Sequence, residues 1–369
     1  LTPRTERIVA KIVIDARESG TTSGRYVDKM IEHMHKLGAP HDIVLLAKAK
    51  RLDYLHGIAP TFEVIETPYE EFSFGEQIGF KKQIEGLHAD LVHFPMPQQP
   101  AFYRGNVVTT IQDLTTVRFH NPAKNPVVFW FKQQVYAWLI RRVCHKSTEL
   151  IAISDFVKND AADFARVNPD KFTVTLEAAD MMPEGSAPYA PVAGKDFIMY
   201  LGRPTPHKNL GRLIEAFGLL QDNHPDLYLV LAGKKDFNYE IHEKNVHRMG
   251  LKHVIFTDFI PDDQLRWLFE HCRAYIFPSL SEGFGLPGLE AMLHGAPVVS
   301  SNATCLPEVH GDACEYFDPL SVEDMASKIA SVIDDETKRS NLIEKGYVQA
   351  GKFSWSRMAQ QTLEVYEKA

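Results

Sequence analysis

Two short stretches hold most of the side chains whose types and spacing could do chemistry. In "SLSEGFGLPGLEAM", residues 279 to 292, Glu282 and Glu290 bracket three glycines and a proline. A strand ending at Ser279 must turn sharply through "EGFGLP" before a short helix whose first turn contains Pro287 and Gly288. Gly283 and Gly285 leave room for a ligand to approach backbone N–H groups. Glu282 at the strand mouth and Glu290 in the first helical turns then lie on the same side of the loop. A carboxylate is a strong acceptor for vicinal hydroxyls, the role an acidic residue plays on ribose in dinucleotide folds. Two of them, separated by a phosphate-sized backbone nest, match a nucleotide sugar, with hydroxyls at both ends and diphosphate between. The competing reading makes Glu290 a partner of the helix dipole and Glu282 a solvent-facing loop residue.

The second stretch is "YLGRPTPHKNLGRLIEAF", residues 200 to 217. A strand ends at Gly202, a basic loop carries Arg203, His207 and Lys208, and Asn209 is placed to cap the next helix. The planar fork of Arg and the point charge of Lys suit a diphosphate near a helix N-terminus; the bland alternative is a solvated turn with surface charges. A metal site is the weaker reading, because no DxD motif follows a strand and no His/Glu spacing matches a cation cage. Acid/base work by the carboxylate pair stays open, although nothing places the two groups across a scissile bond.

Short apolar runs that end in Gly, Asp, Ser or Pro must position these loops. "KIVIDAR", "DIVLLAK", "LVHFP", "NVVTTIQD" and "ELIAISD" alternate with helical patterns such as "GRYVDKMIEHMHKLG", where Tyr26, Met30, Met34 and Leu37 share one face. The alternation stops at a linker, residues 176 to 196, and restarts with "FIMYLGR", "LYLVLAG", "VIFTDFI", "AYIFPS" and "APVVSS". Helical segments at 319–335 and in "FSWSRMAQQTLEVYEKA" close the chain. This is βαβ grammar used twice: an α/β protein of two doubly wound domains, with ligands expected in a cleft at the carboxyl ends of the strands. The domains are expected at 1–178, joined by the helix 354–369, and at 195–353.

At 369 residues, 44% apolar and 24% charged, the chain can bury a sizeable core in each domain. A net charge of −8 argues against a nucleic-acid partner. The four cysteines lie far apart without CxxC spacing, which disfavours a zinc site and a disulfide framework. The opening "LTPRTERIVAKIVIDA" has no signal-peptide pattern, and no apolar run spans a bilayer, so the expected location is the cytoplasm. The stretch 125–146 is aromatic, with Phe129, Trp130, Phe131, Tyr136 and Trp138, and ends in Arg141, Arg142 and Lys146. Its apolar positions 128, 131, 135, 138 and 139 read either as a core stripe or dimer contact, or as an interfacial helix at the inner face of a membrane.

The series "YLGRPTPHKNLGRLIEAF", "LVLAGKKD", "FTDFIPDDQL" and "FPSLSEGFGLPGLEAMLHGAPVVSSNATCLPEVHGDACEYFDP" resembles the retaining glycosyltransferases of family 4, with Glu282 and Glu290 as the Glu-x7-Glu pair. The amino-terminal half is similar more loosely, through "IDARESGTTSGRYVDKMIEHM", "LVHFP", "TTIQDLTT" and "IAISDFVKNDA". The resemblance implies the GT-B architecture of two facing Rossmann-like domains and transfer of a hexose from a nucleotide sugar without a metal or other cofactor. Carried over, Arg203 and Lys208 bind the donor diphosphate, Glu290 holds the ribose and Glu282 contacts the donor sugar. Gly202, Phe284, Gly285 and Leu286 line the sugar and phosphates, and Gly24 lets the amino-terminal domain approach the diphosphate.

One departure stands out: where relatives commonly read "HDL", this chain reads "QDL", Gln112 and Asp113. Gln cannot titrate but can hydrogen-bond a sugar hydroxyl. His93 is either a substitute on the acceptor side or a satisfied structural histidine. The subgroup resembled includes mannosyl- and rhamnosyltransferases of bacterial surface polysaccharides. GDP-mannose is therefore the favoured donor, ahead of UDP- or dTDP-sugars, and the acceptor a glycan or polyprenyl-linked glycan. The alternatives are a sugar-nucleotide epimerase or hydrolase on the same fold, or a nucleotide-sugar binding module without turnover.

Overall fold

The computed structural model describes residues 9–21, 24–119, 125–235 and 237–369; residues 1–8, on which part of the signal-peptide reading rests, lie outside it. A first sheet is built from β1 (Lys11–Asp15), β2 (Asp42–Ala47), β3 (Glu63–Glu66), β4 (Leu91–Phe94), β5 (Val107–Ile111), β6 (Glu149–Ala152) and β7 (Phe172–Val174). Its order is β3-β2-β1-β4-β5-β6-β7, and neighbouring strands are parallel. The inner strands β4 and β5 are buried at every position. Helices cover both faces of a parallel sheet, so these strands show no apolar/polar alternation, and their few polar side chains, His93, Thr109 and Thr110, are buried with the rest. The helix Gly24–Lys36 buries Tyr26, Met30 and Met34 as its spacing predicts, while Leu37 lies just beyond its end and is exposed. The closing helix Trp355–Lys368 packs against it, and the Tyr366 hydroxyl reaches His93.

A second sheet holds β8 (Phe197–Leu201), β9 (Tyr228–Ala232), β10 (Val254–Phe256), β11 (Ala274–Phe277), β12 (Val298–Ser301) and β13 (Cys314–Phe317) in the order β10-β9-β8-β11-β12-β13, again parallel. Against it the helix Leu210–Gln221 buries Leu210, Leu213, Ile214, Phe217 and Leu220, an i, i+3, i+4, i+7 stripe. Each such side chain stabilises the domain by roughly 1.5–3 kcal/mol, and Phe217→Ala would cost about 3–5 kcal/mol because a cavity remains. Both sheets reverse their strand order once, between β1 and β4 and between β8 and β11. Ligands of open α/β sheets bind outside the carboxyl ends of the strands at such a point.

Three differences from the sequence reading are physical. The strands β3, β7 and β13 are additional, and all three are sheet edges. A further helix, Glu336–Ala350, separates the two expected carboxy-terminal segments, its start fixed by the Asp335 side chain accepting from the Lys338 N–H. The compact units comprise 1–114, 133–177 and 354–369 in the first and 115–132 and 178–353 in the second, so 115–132 does not group with the rest of 1–178; the Phe119 ring sits 5.7 Å from His207.

The helix Pro126–Lys146 corrects the expected core stripe. It buries Tyr136, Ala137, Leu139, Ile140, Val143 and Cys144, whereas Val128, Phe131, Val135 and Trp138 are 48–64% exposed. This helix is apolar on both sides, so periodicity marks a stripe without saying which side meets the sheet. No described helix is long and apolar enough to cross a membrane.

Candidate nucleotide-sugar site

The exit from β8 is held by buried tyrosines. Gly202 leaves the strand at φ 151°, and its carbonyl accepts from the Tyr239 hydroxyl at 2.9 Å; Tyr200 donates to the Arg203 carbonyl at 3.2 Å. The Arg203 side chain is exposed and has no ion-pair partner among the described residues, which leaves its fork of donors available to an anion. After a single 3₁₀ turn, Pro206–Lys208, the chain enters the helix through Asn209 at φ 60°, a left-handed conformation that Asn tolerates. The expected capping bond is absent. The Asn209 carboxamide instead donates to the Pro278 carbonyl at 3.0 Å and the Pro319 carbonyl at 2.8 Å, tying together the loops that follow β8, β11 and β13. The Leu280 N–H adds a 2.7 Å bond to the His207 carbonyl. Burial, helped by the Lys208 charge and opposed by Glu282, lowers the His207 pKa to about 4, so this ring is neutral at neutral pH.

These ties bring Lys208 to Glu282. The ammonium donates to the carboxylate at 2.7 Å, with side-chain exposures of 20% and 11%. Both loops flank the β8/β11 reversal, so the pair lies where topology places a ligand. Beyond Glu282, Gly285 takes φ 101°, and a Cβ there would come within 2.7 Å of Leu306. Its freedom therefore serves close packing of the loop as well as any ligand approach. His310, invisible to the sequence reading, is buried beneath it and donates through Nε2 to the Gly285 carbonyl at 3.2 Å; burial lowers its pKa to about 4. The Phe284 ring is buried edge-on against Phe353, so only its backbone could meet a ligand. Leu286 opens the helix Leu286–Leu293, and Glu290 is buried in its second turn. Burial raises the Tyr275 pKa, and the charges of Glu290 and Glu282 raise it further, so both carboxylates act on one phenol under the loop.

In the first sheet the expected residues fall into two groups. Gly24 begins its helix, donating to the Thr21 hydroxyl at 2.9 Å, and a Cβ there would overlap the Glu18 carbonyl oxygen. His93 is fully buried on β4; Nδ1 bonds the Tyr366 hydroxyl at 2.6 Å and Nε2 the Thr110 hydroxyl at 2.9 Å. Burial lowers its pKa to about 3, which makes it a neutral structural ring and removes it as a charged group at neutral pH. Gln112 and Asp113 follow β5, and the Gln112 amide donates to the Pro95 carbonyl at 3.5 Å. One titratable group was hidden in the expected linker: Glu177 is buried after β7, and burial, opposed by Arg25 and reinforced by Asp113, raises its pKa to about 7. Among the described residues no group of three or more His, Cys, Asp and Glu side chains converges as a metal site requires.

The fold and this site define a two-domain α/β protein that offers cations, hydroxyl-accepting carboxylates and a glycine loop at the strand-order reversal of its second domain. Residues 183–349 match the family model "Glycosyl transferases group 1", and residues 23–180 match "Glycosyltransferase Family 4". The chain belongs to the family 4 glycosyltransferases. It is 32% identical over 229 residues to the O-antigen chain mannosyltransferase B of Escherichia coli, covering 59% of this chain and 60% of that one. It is 30% identical over 224 residues to the serotype-specific mannosyltransferase WbdA of Escherichia coli, covering 60% of this chain and 27% of that one. The chain thus spans less than two thirds of these curated relatives. Among solved structures, Anabaena HepE in complex with UDP superimposes with TM-score 0.75 at 18% identity over 98% of this chain and 100% of that one. WaaG, a glycosyltransferase of lipopolysaccharide biosynthesis, does so at 0.70 and 16% over 96% and 99%. At these identities the likeness shows the fold, GT-B.

Proposed function

We propose that this chain transfers a hexose, mannose in preference, from a nucleotide sugar to a glycan or polyprenyl-linked acceptor in surface polysaccharide synthesis, with retention of configuration. The observation that carries the reading is the Lys208–Glu282 contact at the β8/β11 reversal, with Arg203 on the same loop as Lys208, exposed and without an ion-pair partner among the described residues. Arg203 and Lys208 hold the diphosphate. As the bond from the anomeric carbon to phosphate oxygen breaks, negative charge grows on that oxygen, and both cations act most strongly then. The acceptor hydroxyl forms the new bond on the same face and passes its proton to the departing phosphate, so no protein nucleophile is needed. Glu282 orients the donor sugar and Glu290 the ribose. The mannosyl preference and GDP-mannose as donor rest on the similarity to mannosyltransferases, with UDP- and dTDP-sugars as the alternatives.

The exposed face formed by Phe131, Val135 and Trp138, followed by exposed Arg141 and Arg142, supports contact with an anionic lipid surface, where a polyprenyl-linked acceptor is presented. Thermal unfolding with a panel of nucleotide sugars tests the donor. A ligand of the native state raises the midpoint, by about 2.7 kcal/mol of stability at a hundredfold excess over Kd. GDP-mannose should protect most; protection by no nucleotide sugar would refute the reading.

A further inference from the structure

The loop after β12 reaches back to the backbone of Glu282. Thr304 adopts φ 54°, the one β-branched residue with a left-handed backbone among the described residues. Its branched Cβ makes that conformation unfavourable, so the surroundings must hold it there. The Leu306 N–H closes a turn around it on the Ala303 carbonyl at 3.2 Å, and two side-chain bonds tie that turn to the site: the Glu282 N–H donates to the Thr304 hydroxyl at 3.1 Å, and the thiol of the adjoining Cys305, fully buried, donates to the Glu282 carbonyl at 3.3 Å. Both backbone polar groups of Glu282 are thereby satisfied by two consecutive side chains of another loop. Leu306, the next residue, fills the space over Gly285. The carboxylate so fixed is the one that meets Lys208 at 2.7 Å.

We propose that Thr304, seconded by Cys305, is a positioning residue that clamps the Glu282 backbone and thereby sets where the carboxylate meets the donor sugar. The proposal rests on the functional reading above only for what Glu282 faces; the clamp itself is local. Strain kept at Thr304 is what a site tuned for geometry would show, because glycine would relieve it.

Three variants and two readouts test it. Amide hydrogen exchange at Glu282 reports the clamp without any substrate. Binding of GDP and of GDP-mannose, with kcat for transfer, reports its consequence. Thr304→Val keeps the shape and removes the acceptor oxygen. It should speed Glu282 exchange about tenfold, in line with the loss of one hydrogen bond. It should leave GDP affinity unchanged and lower kcat at least about tenfold, as misplacement of a positioned group does. Thr304→Ser should restore both readouts. Thr304→Gly should melt no lower than the parent yet lose turnover like the valine variant. Unchanged Glu282 exchange in Thr304→Val overturns the clamp, and so does activity that falls only in step with the melting temperature across all three variants. If the parent protein turns over no nucleotide sugar, the functional reading fails, while the exchange result still decides the clamp.

Discussion

Lys208 and Glu282 face each other at 2.7 Å across the strand-order reversal of the second sheet, one on the loop leaving β8 and the other on the loop leaving β11. Both are largely withdrawn from water, so removing either partner leaves a poorly solvated charge. Lys208→Met and Glu282→Gln should each destabilise the protein by about 1–2 kcal/mol, a figure reduced for residual exposure. The double variant should recover most of that stability and still be the least active of the three. Urea unfolding of all four proteins checks this; a double variant whose loss equals the sum of the singles would show that the two charges do not interact.

Asn209 makes a sharper stability prediction. Asn209→Ala strips donors from the Pro278 and Pro319 carbonyls and should cost about 1–3 kcal/mol. Asn209→Asp should cost more despite its similar shape and its tolerance of the left-handed region, since a carboxylate would then face two carbonyl oxygens. Equal urea midpoints for the Ala and Asp variants would contradict the three-loop tie.

The ends of β8 and β11 were legible in the sequence because buried parallel strands make unbroken apolar runs that stop at Gly, Pro and Ser. The edge strands β3, β7 and β13 were not: "EVIE" is polar at both ends, Phe172–Val174 is three residues long, and "CEYF" carries a charge. Lys208, Glu282 and Glu290 stand out in the sequence by residue type and spacing. Thr304, Cys305 and His310 were not, because their role is to support a loop more than twenty residues earlier, and no local pattern encodes a tertiary contact. Asn209 reads locally as a helix cap for the same reason; its carboxamide serves partners 69 and 110 residues away.

Two buried groups should give opposite pH signatures. The Glu177 pKa is raised to about 7, so the native state holds its proton more tightly than the unfolded chain; its contribution is present below about pH 4.5 and is lost as pH rises through 7. Glu177→Gln should therefore gain on the order of 3 kcal/mol at pH 8 and nothing at pH 4. His93, lowered to about 3, has the reverse sign: its contribution is present above about pH 6.5 and is lost as pH falls toward 3. Replacing it with Gln should flatten the acid limb of the stability curve. Thermal midpoints across pH 4 to 8 check both; parallel curves for the Glu177→Gln variant and the parent would contradict the burial argument.

For the exposed helix face, Phe131→Glu and Trp138→Glu should leave stability within about 0.5 kcal/mol, because neither ring is in the core. Co-sedimentation with phosphatidylglycerol vesicles should weaken in both variants, and binding of the parent should fall with added salt. Undiminished sedimentation of both variants would contradict a lipid contact through this face.

Mannosyl transfer is decided by following free nucleoside diphosphate and glycosylated product when the protein is incubated with GDP-mannose, with and without a polyprenyl-linked glycan acceptor. GDP release should require the acceptor, the product should retain the donor's anomeric configuration, and kcat of an Arg203→Ala variant should fall by about a hundredfold while GDP-mannose still binds. Release without acceptor would indicate a hydrolase, and binding without release from any nucleotide sugar would leave a binding module; either result would rule out glycosyl transfer by this chain.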